Sequence, residues 1–340
     1  MYKACGMRST AFKISIMKKT AQRDTNPYKN SDSNKRYFSY DYYLRKKYGS
    51  KVSKVMLDAG FTCPNIDGKC SVGGCIYCSG RGSGDFAGSP LQSITEQIDK
   101  GVEMMSKKWS TEKIIPYFQA HTNTYAPVSV LREKFEEALS YPGVVGLNVA
   151  TRADCLEEDV LLYLAEISDR TSLTVELGLQ SANDSTAEII NRGHSFYDFV
   201  VGYDKLRKYV PKAEICIHVI HGLPGEDREM MLETIRKVAD LDPEQVKIHL
   251  LHVVDRTKLA NMYKAGEYTP LSKEEYVNIV CDSLELLPPD TVICRLTGDG
   301  APDLLLAPEW SRKKVSVIND VDKELYSRDS YQGKYFSYPK

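Results

Sequence analysis

No apolar run in this 340-residue chain approaches the roughly 18–20 residues needed to cross a bilayer. A helical membrane anchor is therefore not expected. Met1–Arg23 lacks the short apolar core and small-residue cleavage site of a secretory signal. The expected setting is a soluble cytoplasmic one, where thiols stay reduced and disulfides are rare. The odd cysteine count, nine, agrees with that. No short internal repeat is visible either. What the chain does have is 42% hydrophobic residues, enough for a large α/β core or for two domains.

Net charge is nearly missing, at −1, but the balance is uneven. Residues 1–54 hold 14 Lys or Arg and 3 Asp or Glu, so this end is about +11 and the remainder about −12. A basic arm on an acidic body suits a polyanionic partner such as RNA, or it is a solvated tail. We assign 1–34 as a basic, flexible tail, and Met7 or Met17 within it is an alternative start. Arg36–Tyr48 reads as a short helix dense in Tyr and basic residues. Such side chains stack on bases or cap the end of a barrel.

Beyond it the pattern alternates. Strands are expected at Val52–Leu57, Ile114–Gln119, Val145–Ala150, Leu173–Leu177, Ala213–Ile220 and Gln245–Leu251, with a short one at Val292–Leu296. Helical spacing falls between them, as at Leu91–Lys107, Glu157–Ile167, Phe196–Tyr209, Arg228–Leu241 and Lys273–Leu286. Strands alternating with helices of this length predict a parallel sheet. Six such strands would form most of a ring, a partial (β/α)6 TIM-like barrel, with function at the C-terminal strand ends. The distinctive polar residues fall there: Gln119, His121, Thr122 and Asn123; Thr151 and Arg152; Glu176, Gln180 and Ser181; His218 and His221; His249 and His252.

One stretch stands apart. Cys63–Cys78 packs four cysteines, Cys63, Cys70, Cys75 and Cys78, into a Gly-rich loop. Three chemistries fit thiols grouped this closely. Four thiolates make a tetrahedral zinc site. The Cys75-Ile76-Tyr77-Cys78 pair alone could work as a redox dithiol. Three thiolates could hold an iron–sulfur cluster with one iron left open to a small molecule. The other cysteines, Cys5, Cys155, Cys216, Cys281 and Cys294, are too scattered for a second cluster.

Cys63 to Cys78, with Tyr77 just before the last cysteine, resembles the radical S-adenosylmethionine (SAM) enzymes. Eleven residues separate Cys63 from Cys75, where the superfamily commonly has three. That departure resembles the YhcC-like/YtqA-like branch related to the Elongator catalytic subunit. So do Leu57-Asp58-Ala59-Gly60-Phe61-Thr62-Cys63-Pro64-Asn65 and Gly82-Ser83-Gly84-Asp85-Phe86-Ala87-Gly88. Tyr117-Phe118-Gln119-Ala120-His121-Thr122-Asn123-Thr124-Tyr125-Ala126-Pro127 and Arg295-Leu296-Thr297-Gly298-Asp299-Gly300 carry the same likeness. It runs from about Arg36 to Trp310. We therefore assign 35–310 as a radical SAM partial barrel with its Cys loop at 58–88, and 311–340 as a C-terminal extension.

The resemblance implies a [4Fe–4S] cluster on Cys63, Cys75 and Cys78, with SAM on the open iron and Cys70 outside the ligand set. It implies that Tyr77 packs near the adenine. Glu176 and Gln180 would serve SAM, Glu176 suiting the ribose hydroxyls, and Arg192 its carboxylate, for which an Arg fork is physically apt. Thr151 and Arg152 would face SAM or substrate. The superfamily's usual Gly-Gly-Glu is absent, so Gln119, Thr122 and Asn123 are the candidates for the SAM amino group. The reaction implied is reductive cleavage of SAM to a 5′-deoxyadenosyl radical that takes hydrogen from the substrate.

The Elongator-like branch works on the wobble uridine of tRNA, and some YtqA-like proteins are linked to trimming a carboxymethylaminomethyl uridine side chain. A tRNA substrate and a reductant such as flavodoxin or ferredoxin are the implied partners. No acetyltransferase-like domain is expected after Trp310. Two other readings remain at this point. One is a radical SAM enzyme acting on a small metabolite or peptide. The other is a non-enzymatic Fe–S or zinc protein that binds nucleic acid.

Overall fold

The computed structural model describes residues 26–337, apart from 83, 85, 86, 110, 299, 301 and 302. Residues 1–25, with Cys5, Met7 and Met17, thus lie outside it, as do parts of the 82–88 and 295–300 motifs. Seven parallel strands form one sheet in simple sequential order. They are β1 (Ser53–Leu57), β2 (Ile114–Phe118), β3 (Gly146–Thr151), β4 (Ser172–Gln180), β5 (Glu214–His221), β6 (Gln245–Leu250) and, beyond a two-residue β7 (Val253–Val254), β8 (Val292–Arg295). The expected short last strand is therefore a full member, pairing with β6. β1 and β8 each have one strand neighbour, so the sheet is an open ring. The alternation reads as a partial TIM-like barrel because each crossover helix returns the chain to start a parallel neighbour.

The helices hold their places through ordinary local chemistry. Helix α1 is Tyr40–Tyr48, α2 is Ile94–Ser106, α3 is Val128–Leu139 and α4 is Glu158–Arg170; α5 is Asp184–Ile189 and α6 is Phe196–Tyr209. Ser93 with Glu96, and Ser195 with Asp198, close capping boxes that satisfy the first N–H groups of α2 and α6. Helix α4 buries Val160, Leu161, Leu164 and Ile167 at helical spacing. The outward residues of the strands, including Val55, Leu147, Val149, Val175, Ile217 and Ile248, join these helix faces in one continuous core. Helices α7 (Arg228–Asp240), α8 (Lys258–Lys264), α9 (Lys273–Leu286) and α10 (Lys314–Ser327) complete the outer layer. No described helix is long and apolar enough to cross a membrane.

The chain ends pack on the barrel. Helix α10 buries Val317, Val321 and Leu325. Residues 26–34 were expected to belong to a flexible tail, but Tyr28 is buried and its hydroxyl donates to Pro289 O at 2.7 Å. Ile293 N donates to Phe38 O at 2.8 Å, which lays the strand entering α1 beside β8. Of the two roles open to Arg36–Tyr48, α1 takes the barrel-end one. It shares a pocket with Glu214, Gln245 and Val292 at the N-terminal ends of the strands, opposite the Cys loop.

Candidate active site

The loop after β1 is fixed by one asparagine. Asn65 is fully buried, and its side-chain N–H₂ donates to Asn191 O at 2.5 Å and to Cys75 Sγ at 3.4 Å. Asn191 answers by donating to Val72 O and Gly74 O at 3.2 and 2.8 Å. Gly193, at φ 78°, leaves room for this contact; a Cβ there would sit 2.6 Å from Asn65 Oδ1. Ile76 N donates to Ile190 O and Leu259 N to Ile76 O, tying the loop to α5 and α8. The Cys loop is thus held by the segment that carries Arg192.

Cys63, Cys75 and Cys78 line one cavity of about 520 Å³ that opens at the C-terminal strand ends and runs into the barrel. Cys70 is not in its wall; its exposed thiol lies 3.7 Å from an Asp154 carboxylate oxygen. Cys75 is an acidic thiol. The hydrogen bond from Cys78 lowers its pKa to about 6 against the cost of burial, with further help from Arg152, Tyr77 and Asn65. A sulfur that accepts hydrogen bonds beside a guanidinium is prepared to act as a thiolate ligand.

The other expected residues sort by their contacts. Tyr77, Gln119, Thr122, Thr151, Arg152, Gln180 and Arg192 all line the cavity. Gln180 ends β4 with φ 64°, and its amide stands within 3.1 Å of Gly178 O and 2.9 Å of Leu179 O. Arg192 is 1% exposed and donates to the backbone carbonyls of Leu179, Ser181 and His194. Its Nη2 makes no hydrogen bond, although the Asp184 carboxylate stands 3.8 Å away. A buried, unbonded guanidinium N–H is costly unless a ligand accepts from it. Arg152 forks onto Asp154 at 2.9 and 2.7 Å and reaches Arg192 O at 2.7 Å. Thr151 and Thr124 share a hydroxyl contact of 2.5 Å. Helix α6 presses on this corner so closely that a Cβ on Gly202 would sit 2.0 Å from Ala153 O.

Two expectations are corrected. Asn123 does not reach the cavity wall; its side-chain N–H₂ donates to Ala120 O and Ala150 O and staples β2 to β3. Glu176 faces the cavity floor, yet it does not suit ribose hydroxyls. Its carboxylate already accepts from Lys54 at 2.9 Å, Asn148 at 2.8 Å, His218 at 2.9 Å and Lys247. Four donors fill the lone-pair sites of a carboxylate. They hold the Glu176 carboxyl well below its usual pKa in spite of burial, with Lys247 and then Lys54 the largest favourable influences.

Lys54 and Lys247 were not expected at the site. Both ammonium groups stand over the ring of Tyr117, at 4.5 and 4.4 Å, and Lys54 also over Tyr40 at 4.9 Å. Burial opposes the Lys54 charge, but Glu176 outweighs it and the pKa lies above the usual value. The available signal was a lysine inside each of two otherwise apolar strand runs, Lys54 before Val55-Met56-Leu57 and Lys247 between Val246 and Ile248.

The Radical SAM superfamily model matches residues 66–238, and the Radical_SAM C-terminal domain model matches residues 243–327. YtqA of Bacillus subtilis is 50% identical over 311 residues, spanning 92% of this chain and 96% of that protein. A tRNA uridine(34) acetyltransferase of Methanocaldococcus jannaschii is 28% identical over 288 residues, spanning 72% of this chain and 51% of that protein. The structure of Elp3 from Methanocaldococcus infernus superimposes with a TM-score of 0.62 at 19% identity, covering 83% of this chain and 64% of that one, a likeness of fold. The chain belongs to the radical SAM superfamily, in its YtqA-like branch. It is an enzyme of the class that uses a [4Fe–4S] cluster and SAM.

Proposed function

We propose that this radical SAM enzyme modifies the side chain of the wobble uridine of tRNA. The observation that carries the reading is the single cavity that joins three cysteines at the barrel mouth to a charged floor inside it. Its volume suits a cofactor and one inserted substrate group. The name of the M. jannaschii relative, a tRNA uridine(34) acetyltransferase, supports a uridine substrate.

In this reading Cys63, Cys75 and Cys78 hold the cluster. When bound, the cluster and SAM supply one-electron cleavage of SAM and hydrogen abstraction from carbon. Arg192, through its unbonded Nη2, and Gln180 orient SAM. Tyr77, Gln119, Thr122 and Thr151 shape the space around it, while Arg152 steadies the Cys loop and the Arg192 backbone. The barrel walls keep water from the reacting carbon. A flavodoxin or ferredoxin delivers the electron.

The test compares tRNA nucleosides by mass spectrometry from cells with and without the gene, then repeats the conversion with reconstituted enzyme, SAM and a reductant. A wobble uridine should accumulate in a precursor form in the deletion strain. Identical nucleoside profiles would sink the reading.

A further inference from the structure

Ionisable side chains crowd the inner part of the cavity, yet few of them can take a proton. Lys54 on β1 and Lys247 on β6 are ammonium groups held by Glu176, and Lys54 also hydrogen-bonds Tyr40 of α1. Arg295 on β8 lines the same wall and engages other groups, and a guanidinium stays protonated. Burial opposes the charge of Glu176 on β4, but Lys247 and then Lys54 outweigh it and keep the carboxylate ionised. Burial is also the largest influence on Tyr40 and on Tyr117 of β2, and both phenols sit above their usual pKa. It acts the same way on the Cys216 thiol of β5, with Cys294 next in effect. Cys294 itself donates to Gln245 Oε1 at 2.9 Å.

Two imidazoles remain, His218 on β5 and His249 on β6. Both line the cavity, with ring centroids 5.2 Å apart. They are not equivalent. Burial drives His249 well below its usual pKa, and His218, Arg295 and Lys247 push the same way, with Glu176 the last and weakest counterweight. His249 therefore stays neutral. His218 instead meets a carboxylate directly: its Nε2 is 2.9 Å from a Glu176 oxygen, and its side chain is 15% exposed. An ionised carboxylate only accepts, so Nε2 carries the hydrogen and Nδ1 the lone pair.

The position is as informative as the chemistry. His218 is the fifth of eight residues in β5, between the cysteines at the mouth and the lysines on the floor. Beside it, His249 Nε2 is buried and has no hydrogen-bond partner. Such a nitrogen is costly unless a ligand meets it, so it marks the place of a polar substrate group one ring away from His218. The Cys216 thiol also hydrogen-bonds His218. A thiol is a weak donor, and an N–H or O–H of the substrate displaces it.

We propose that His218 is the proton acceptor of the reaction and that Glu176 is its positioning residue. The chemistry that SAM supplies leaves a radical on a substrate carbon, and an N–H or O–H beside such a carbon becomes far more acidic. That bond breaks, its electron pair stays on the substrate, and an N–H bond forms at His218 Nδ1. The imidazolium charge is met by Glu176, and the proton passes to water when the product leaves. The proposal needs only the radical SAM class; the uridine reading supplies the substrate for its second test.

The first test is 15N NMR of the cluster-loaded protein labelled at histidine, with His218→Gln to assign the signal. The His218 ring should carry its hydrogen on Nε2, and Glu176→Gln should release it to a mixture of tautomers. On acidification His218 should protonate ahead of His249. Hydrogen on Nδ1, or the reverse order of protonation, overturns the proposal. The second test is turnover of tRNA from a strain lacking the gene. His218→Gln should lose about a hundredfold in kcat, the low end of what a general base contributes, while iron loading and SAM binding persist. Its remaining rate should lack the fall at acid pH that the wild type shows, a change that a purely structural role does not produce. Glu176→Gln should lose less than His218→Gln. A His218→Gln rate within about threefold of the wild type overturns the proton role and leaves the uridine reading standing. Wild-type enzyme that leaves this tRNA unchanged removes the uridine reading, and the tautomer and order of protonation then decide the proposal.

Discussion

Lys247→Met isolates the charge cluster on the barrel floor. The Lys247 side chain is 9% exposed and its ammonium donates to Glu176, whose side chain is wholly buried. Removing one partner from a buried ion pair costs about 3–5 kcal/mol. Lys54, Asn148 and His218 still hold the carboxylate, so the loss should fall near the lower end, about 3 kcal/mol. At about 2 °C per kcal/mol for a chain this size, Tm should drop by roughly 6 °C. The pH dependence has a definite sign. Glu176 has a depressed folded pKa, so it contributes stability above its unfolded pKa, and that contribution is lost as pH falls through the folded value. The variant lessens the depression. Its deficit should be complete at pH 7 and should shrink only as pH falls through the variant's own folded Glu176 pKa, because the unfolded carboxyl is the same in both proteins. Calorimetry of the reduced apoprotein from pH 7 downward, with Glu176→Gln and the double variant, completes a thermodynamic cycle. The double variant should be less destabilised than the two singles combined. A deficit that stays constant with pH, together with additive effects, would refute the coupling.

Other expectations follow from particular contacts. Cys63→Ala, Cys75→Ala and Cys78→Ala should each abolish iron loading and SAM cleavage, whereas Cys70→Ala should keep both; iron and sulfide analysis with 5′-deoxyadenosine assay decides it. Arg192→Lys replaces a fork that spans three carbonyls, so SAM affinity should fall about tenfold by equilibrium dialysis, with a loss of about 1–3 kcal/mol in stability. Gly202→Ala forces α6 away from Ala153 and should cost about 1–3 kcal/mol in thermal unfolding. Unchanged SAM affinity in that variant would show that α6 does not position Arg152.

The strands and helices were legible because their outward faces obey simple periods. Val55 and Leu57, Leu147 and Val149, or Ile215, Ile217 and Val219 mark every second position for the helical layer. The inward faces were not legible for the same reason. Lys54, Asn148, Glu176, His218 and Lys247 alternate with apolar neighbours, which is also the pattern of a sheet with one face in water. Only curling of the sheet turns that face into a chamber and brings residues from β1, β4 and β6 together. The Cys loop was readable because its ligands are close in sequence. Asn123 was misjudged because its position after β2 suits a ligand contact and a staple to β3 equally, and the hydrogen bonds that choose between them lie on Ala120 and Ala150.

The polar interior also settles where the stability of this barrel resides. A closed eight-stranded barrel fills its centre with layers of branched apolar side chains. Here the centre keeps about 520 Å³ open, and its floor is a charge cluster. The apolar burial therefore has to come from the outer interface, where Phe118, Phe135, Tyr163, Leu177 and Ile217 pack between sheet and helices. Such a division lets the chamber wall change its chemistry at small cost in folding, provided that each change preserves charge balance. Lys247→Met changes the net charge of the floor, and Lys247→Met with Glu176→Gln returns it to the wild-type value by leaving one lysine and no carboxylate.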